Sequence, residues 1–480
     1  MKGDARDPLT PLADSHPNGR NGIRDDLTEL AIQGVPEPVK QLEMDESAQV
    51  GPIHPQLPWS ERRDSILPYW YGRTFSADNR RFAEATKRVK ALIGPIRLRP
   101  TSYEVAADSL PKGTNLGLPW LTRQRRHLDE YVERARTMTS VGDVFPAFCF
   151  VRKTPKGEVG PPAQRPVLGM DHAETVEGGR IQKPFLSAVR TRVEFAPWQG
   201  PDRVDEAVYE IVTRFKGTNG FRVLSVDFSR FDTSVGVELI AAAFSILKEV
   251  FPSYDRLELL EEIFATVGLV TPDGWHVGRR GAVPSGSVLT NLIDSLVNMI
   301  VLEYAVLRFN RTVQYCVQGD DALVAGDLQL EELSESAREL GMTVNEDKTI
   351  ESDQIAHFLQ KLYLLDAGTK GIASIARRAT KLCSYEVLKS DWNEYLESMR
   401  NIMQLEACRA HMRFRSFVEY VASRDRLLVT MDPVSIAKRA GGVQTINEKL
   451  SQEGFPGNDR NVSGLAEFAT VRLLREMKAA

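Results

Sequence analysis

The segment Tyr315 to Gly326 sets the tightest limit on how this chain can fold. Two apolar runs, Tyr315-Cys-Val and Ala322-Leu-Val-Ala, flank the polar tip Gln318-Gly319-Asp320-Asp321. Apolar stretches of strand length on either side of Gly and Asp mark a tight hairpin, so the chain must contain an antiparallel pair of strands. Asp and Gly are also ordinary turn residues, so the two adjacent carboxylates at the tip say little alone.

Two further segments carry polar groups where apolar ones are expected. Phe221-Arg-Val-Leu-Ser-Val-Asp227 reads as a buried strand that delivers Asp227 at its end, with Asp232 five residues on. Val235, Leu239, Ala243 and Leu247 then recur at helical spacing, so a strand, a turn and a packed helix meet at two carboxylates. A plain turn with a helix cap would give the same pattern. Gly281-Ala-Val-Pro-Ser285-Gly286 is a loop that opens a helix. On that helix Thr290, Asp294 and Asn298 share one face among Leu292, Ile293, Leu296, Val297 and Ile300. Such a stripe is either a self-satisfied network in the core or the wall of a wet site.

Composition narrows the class. No run approaches the ~18 apolar residues that cross a bilayer, and the stretch from Met1 to Gly51 is polar and acidic, so a cytosolic or particle-enclosed protein without a membrane partner is expected. Cys149, Cys316, Cys383 and Cys408 lie far apart, without a CxxC pattern, and read as reduced thiols. A net charge of -4 excludes a strongly basic nucleic-acid coat protein. The charge is segregated, however: residues 1–60 hold 5 Lys and Arg against 10 Asp and Glu, whereas residues 61–100 hold 10 against 4. The basic run from Arg80 to Lys90 is either a solvated helix face or a local nucleic-acid surface.

Residues 1–58 are rich in Pro, Gly, Asp and Asn and predict an extended, partly disordered extension, with the folded body starting near Trp59. A loop-rich region runs to about Phe195, strands and helices alternate compactly over 221–365, and helical patterns fill 377–431, ahead of a tail marked by Asp432-Pro433.

Taken in order, DxxxxD, SGxxxT and GDD resemble the palm motifs of viral RNA-dependent RNA polymerases. Gly341-Met-Thr-Val-Asn345-Glu-Asp-Lys348 resembles the family's next motif. Phe358-Leu-Gln-Lys361 resembles the short strand element that closes the palm, and Arg152-Lys153-Thr-Pro-Lys156 with Arg165 resembles the basic fingertip. Residues 111–119, Thr271 to Gly274 and 290–295 look most like picobirnaviruses, with partitiviruses next. The resemblance implies an α+β right-hand fold. Fingers are expected over 59–217, a palm with an antiparallel sheet backed by helices over 218–366 (part of 240–280 joining the fingers), and a helical thumb and tail over 367–480.

The activity implied is RNA-templated RNA synthesis, replicating and transcribing a viral genome that is double-stranded and segmented. Asp227, Asp320 and Asp321 would hold two Mg2+ ions, with Mn2+ fitting the same oxygen ligands, and Asp321 in a supporting role. Lys348 would act as general acid toward pyrophosphate. Arg165, Lys153 and Lys156 would bind the triphosphate. Asp232, Ser285, Thr290 and Asp294 would line the ribose pocket, where the repulsion of two acids near one sugar would raise one pKa unless a neighbouring donor compensates. Arg152, Gly286, Phe358, Leu359 and Lys361 would contact RNA, and the arginines at 377–378 and 409–415 would track duplex phosphates. Implied partners are the RNA template and product duplex, ribonucleoside triphosphates and the viral capsid, in the virion or the host cytoplasm. A reverse transcriptase would share the metal carboxylates, a non-catalytic RNA-binding or particle-assembly protein would rely on the basic segment, and a metal-dependent sugar transferase would leave the SGxxxT helix without a task.

Overall fold

A computed structural model describes residues 10–51, 57–110, 114–153, 164–368, 370–385, 392–451 and 462–479. Its strands, in chain order, are β1 (Ala147–Lys153), β2 (Gln164–Gly169), β3 (Arg222–Val226), β4 (Leu269–Thr271), β5 (Gly274–His276), β6 (Val313–Gln318), β7 (Asp321–Gly326), β8 (Ile350–Ser352), β9 (Ile355–Phe358), β10 (Lys361–Leu364) and β11 (Ile372–Ala373).

The central sheet has the order β6-β7-β3-β8, all antiparallel. Hairpin β6–β7 closes with Gln318 opposite Asp321, and Gly319 at φ 62° takes the left-handed step that a two-residue turn demands. Behind the sheet lies the helix Thr290–Phe309, buried at every residue from Leu292 to Val306. The helices Asn79–Ile93 and Val237–Val250 join it in one core. A second sheet, β2-β1-β4-β5, draws β4 and β5 out of the segment that follows Val250 and pairs β4 parallel to β1.

Contrary to the extended arm expected for the N-terminus, residues 19–32 and 37–49 form helices that are part of the C-terminal helical region. Leu12, Ile23, Leu27 and Ala31 are buried with Ile375, Leu382, Phe417 and Val421. Burying one such Ile or Leu stabilises the fold by roughly 1.5–3 kcal/mol, enough to outweigh the weak helix propensity of the Gly, Asn and Asp residues around them. Ile23, Leu27 and Ala31 do recur every four residues, a period hidden by the polar composition. The tail is helical too: Asp432 caps the helix Pro433–Arg439 with proline in its first turn, and Leu473 and Leu474 of Ala469–Ala479 reach the same core.

Two buried glutamates fasten this arrangement. Glu43 accepts bonds from the Ser374 hydroxyl and from the amides of Ile375 and Ala376, each at 2.8 Å, and lies 3.2 Å from His411 Nε2. A residue of the N-terminal segment thus satisfies the otherwise unpaired first turn of the helix Ile375–Cys383. Glu174, on the helix His172–Val189, receives the Ser287 hydroxyl at 2.6 Å, and burial pushes its carboxyl up to about 7 despite that bond.

Glu43→Ala strands those donors in the core and is expected to lower unfolding stability by about 2–4 kcal/mol in a denaturant melt. A loss below about 1 kcal/mol would mean the N-terminal helices are not integral to the fold. Glu174 titrates higher when folded than its ordinary 4.5, so its contribution is complete below that pH and is lost as pH rises toward 7. Glu174→Gln should therefore gain on the parent protein across that window, by roughly 3 kcal/mol at most. Melting curves with the same pH dependence for both proteins would disprove it.

Candidate active site

β3 lies between β7 and β8, so its end is held on both sides. Its last ladder pair joins Val226 to Ala322, which puts Asp227 and Asp321 one step further on, side by side at the sheet's edge. Asp320 occupies the turn beside them. Asp227 is tied down by three bonds to two neighbours: the Asn345 amide donates to its Oδ2 at 2.9 Å, the Asn345 N–H to its carbonyl at 2.8 Å, and its own N–H reaches the Thr349 hydroxyl at 3.1 Å.

The polar stripe of the helix Thr290–Phe309 divides its tasks. Thr290 accepts the Gly286 N–H at 3.4 Å and donates to the Pro284 carbonyl at 3.0 Å, closing the loop before its own helix. Asn298 donates to the carbonyls of Gly319 and Asp320, each at 3.1 Å, and Ser295 accepts the Gly319 N–H at 2.7 Å, so the helix fastens the hairpin turn. Between them Asp294 is only 4% exposed, and its Oδ1 has no hydrogen-bond partner among the described residues. Thr290 and Asn298 thus serve as the self-satisfied network, while Asp294 keeps one oxygen unsatisfied in the core.

Asp232 sits on the short helix Phe231–Ser234 near the Ser285 side chain, which favours its charged form, while the Val283 N–H binds its carbonyl at 2.6 Å. Burial lifts its carboxyl to about 6, with Ser285 opposing and Asp320 adding to the rise. Asp294 is raised well above the usual carboxylate range by burial first, then by Asp232 and Asp320. Asp320, open at the hairpin tip but crowded by protein, is raised by burial, with Arg165 opposing and Asp227 adding. Asp321 goes up to about 7 through burial, then Asp320 and Asp227. Five aspartates thus gather in one cleft, and repulsion between neighbours adds to the cost of burying them.

Cationic charge comes from β2. Arg165 is exposed, and its charge acts on Asp232, Asp320 and Asp321. β2 is held against the pocket because the Leu168 N–H binds the Ser285 carbonyl at 2.7 Å. Gly286, at φ 132°, permits that approach: a Cβ there would lie 2.2 Å from the Leu168 carbonyl oxygen. Arg152 pairs with Arg165 and Lys153 with Gln164 across β1 and β2, whereas Lys156 lies outside the described residues. Lys348 is exposed on the turn that begins at Asn345.

Other expected RNA contacts are engaged within the chain. Phe358 is in the hydrophobic core, Leu359 packs against it at φ 49° in the β9–β10 turn, and the Lys361 ammonium binds Asp205 at 3.0 Å. Arg377 pairs with Glu46 at 2.7 Å, Arg378 is buried and Arg409 pairs with Asp202. Asn345, Ser295 and Glu174 are site-supporting residues that sequence reading passed over. Asn345 and Ser295 lie inside quoted motifs, but nothing local marks Glu174, whose partner Ser287 is 113 residues away.

Among the described residues no three His, Cys, Asp or Glu side chains meet closely enough to hold an ion unaided. The donor set still fits a hard divalent cation, because magnesium takes one or two carboxylates and completes its shell with water and substrate phosphates. The raised carboxyls of Asp320 and Asp321 are also those that a cation would relieve.

Comparison with known proteins agrees with this geometry. The sequence is 36% identical over 142 residues to the RNA-directed RNA polymerase of Cryptosporidium parvum virus 1 (strain KSU-1), covering 26% of this chain and 27% of that protein. It is 32% identical over 170 residues to the genome polyprotein of human hepatitis A virus genotype IIA (isolate CF-53), covering 31% of this chain and 7% of the polyprotein. The chain thus aligns with about a quarter, or less, of these relatives' length. The crystal structure of the RNA-dependent RNA polymerase of a human picobirnavirus superposes with a TM-score of 0.83 at 20% identity, over 99% of this chain and 95% of that one, which establishes the right-hand fold. An insertion-loop deletion mutant of the same polymerase gives 0.79 at 19% identity, over 99% and 94%. The family described as viral RNA-dependent RNA polymerase matches residues 99–398, more than half of the 480. The carboxylate-tipped hairpin, the Asp232–Ser285 pair and Arg165 all fall within that span, and the chain belongs to the viral RNA-dependent RNA polymerase family.

Proposed function

We propose that this chain joins ribonucleoside triphosphates on an RNA template, replicating and transcribing a segmented double-stranded RNA genome. The observation that carries the reading is the meeting, in one cleft, of Asp227 from β3, Asp320 and Asp321 from the hairpin, the Asp232–Ser285 pair and the Arg165 charge. No other chemistry among those weighed needs all of these groups together.

Each group has a task in nucleotidyl transfer. Asp227, Asp320 and Asp321 would hold two Mg2+ ions, or Mn2+ in their place. Bound there, they would supply charge neutralisation at the attacking and leaving oxygens. Arg165 draws in the triphosphate and offsets the cleft's own negative charge, with Lys153 and Lys156 assigned the same role. The Asp232 carboxylate accepts a bond from the ribose 2' hydroxyl, a group a deoxyribonucleotide lacks, and Ser285 orients it. Asp294, buried and short of one partner, lends the pocket a carboxyl whose pKa burial raises, which favours its protonated, donating form. Lys348 protonates the departing pyrophosphate, its turn being carried on the residue that grips Asp227.

On this reading β1 and β2 belong to the fingers, the central sheet and the helix Thr290–Phe309 to the palm, and the helices beyond β11 to the thumb, with residues 10–51 packed on the thumb. RNA template, product duplex and nucleotides are the partners, with Arg152 and Gly286 near the template and the capsid as the setting. Virion or host cytoplasm is the place of action. No helix among the described residues is long and apolar enough to cross a membrane.

The decisive assay is incorporation of labelled ribonucleotides on a short single-stranded RNA with magnesium. Asp320→Ala is expected to cut template-dependent product by at least about 100-fold, with Asp321→Ala losing less. Equal product from Asp320→Ala and the parent chain would refute the reading. Arg165→Ala should raise the nucleotide KM about tenfold or more, as loss of a charge-assisted bond implies. An unchanged KM would remove Arg165 from the triphosphate site.

A further inference from the structure

Two arginines without a carboxylate partner among the described residues stand behind the proposed ribose pocket. Arg279 is 1% exposed, and its guanidinium donates to four backbone carbonyls: Phe264 at 2.7 Å, Val267 at 3.1 Å, Gly281 at 2.9 Å and Ala282 at 2.6 Å. The first two belong to the C-terminal end of the helix Leu257–Thr266, where carbonyls lack intrahelical partners and a cation is favoured. The other two begin the loop that leads to Ser285. Arg73 grips the Thr233 carbonyl twice, at 3.0 and 2.8 Å, and the Arg280 carbonyl at 3.1 Å. It also holds its own approach segment through Tyr71 at 2.8 Å and Pro68 at 3.2 Å.

The gripped carbonyls flank the pocket on both sides. Thr233 follows Asp232, and Gly281 and Ala282 lie just before Ser285. Between them the backbone is sewn together by the Val283 N–H on the Asp232 carbonyl at 2.6 Å and the Ala282 N–H on the Val235 carbonyl at 2.8 Å. Tyr69, 2% exposed, sits close enough to Asp232, Asp294 and Arg279 to feel all three charges, and Arg73 is close enough to Arg279 to be felt there. Two like charges placed side by side repel, and burying Arg279 without a counter-ion is costly, so the pair needs a return beyond bulk stability. The juxtaposition of Asp232 and Ser285 supplies one: the two lie on separate segments, and a shift of about 1 Å between them would change how both meet one sugar hydroxyl.

We infer that Arg73 and Arg279 are positioning residues for sugar selection, forming a carbonyl-gripping bracket that fixes the spacing between Asp232 and Ser285. The inference rests on the reading that this pair recognises the ribose 2' hydroxyl. A lysine cannot replace either arginine in full, because one ammonium does not reach carbonyls spread over several segments in the planar fork geometry. Loss of the bracket should therefore harm the ribonucleotide reaction selectively. A deoxyribonucleotide makes no bond to Asp232 and has nothing to lose.

The test is single-nucleotide extension of a primed RNA by the full chain, comparing kcat/KM for ATP and dATP opposite template uridine, with a thermal melt of every variant. Arg73→Ala and Arg279→Lys are expected to lower kcat/KM for ATP about tenfold, chiefly through KM, while dATP changes less than about twofold. Arg73→Lys should recover part of the loss. Arg73→Ala placed on Asp232→Ala should reduce discrimination no further than Asp232→Ala alone. Equal losses for ATP and dATP in folded variants, or unaltered discrimination, would overturn the bracket. Asp232→Ala with the parent's discrimination would instead overturn the reading on which it stands. Arg73 is half-exposed, so its two variants decide the matter even if Arg279→Lys melts too low to assay.

Discussion

Negative charge crowded into a poorly solvated cleft is the condition on which the rest of this structure turns. Asp227, Asp232, Asp294, Asp320 and Asp321 come from three separate segments, and burial raises four of them above the ordinary carboxylate range, with repulsion between neighbours adding to it. Left to flexible backbone, such groups would swing apart into water. They stay together because each is mounted on something that cannot move: a strand paired on both edges, a two-residue turn, a buried helix or a loop pinned by its carbonyls.

The helix Thr290–Phe309 is the part that joins these mounts. Its apolar faces bury against the sheet and the neighbouring helices, while its polar face reaches the Ser285 loop and the hairpin turn at once. Thr290 closes the loop that carries Ser285, and Ser295 and Asn298 hold the turn that carries Asp320. Neutral amides and hydroxyls suit this task, since they satisfy backbone groups without adding charge to a site already rich in it. The cations do their work from outside the cluster: Arg165 facing it, Arg73 and Arg279 gripping backbone behind it.

How much could be read in advance depended on the distance over which the information is written. The hairpin, the strand ending at Asp227 and the striped helix are each set by residues within a dozen positions, and all three stand where periodicity and turn chemistry placed them. The N-terminal helices did not show, because Ile23, Leu27 and Ala31 are sparse among Gly, Asn and Asp, and their helix depends on a surface more than 340 residues further on. Lys361 and Arg377 looked like phosphate ligands for the same reason. Whether a basic side chain is free is decided by the acid packed beside it, here Asp205 and Glu46.

By itself the sequence determined the family and the local elements that carry its motifs: carboxylates at a hairpin tip, Asp227 at a strand's end, and a helix with a polar stripe. Only the tertiary structure decided which carboxyls are raised, which cations are left to meet a substrate, and which residues hold the pocket in register. Asn345 meets Asp227 across 118 positions, Arg73 meets Thr233 across 160, and Glu43 meets Ser374 across 331. Spacing along a chain encodes turns and periods, whereas the partner of a buried polar group is set by how distant elements pack, and the field around a carboxylate exists only once they have.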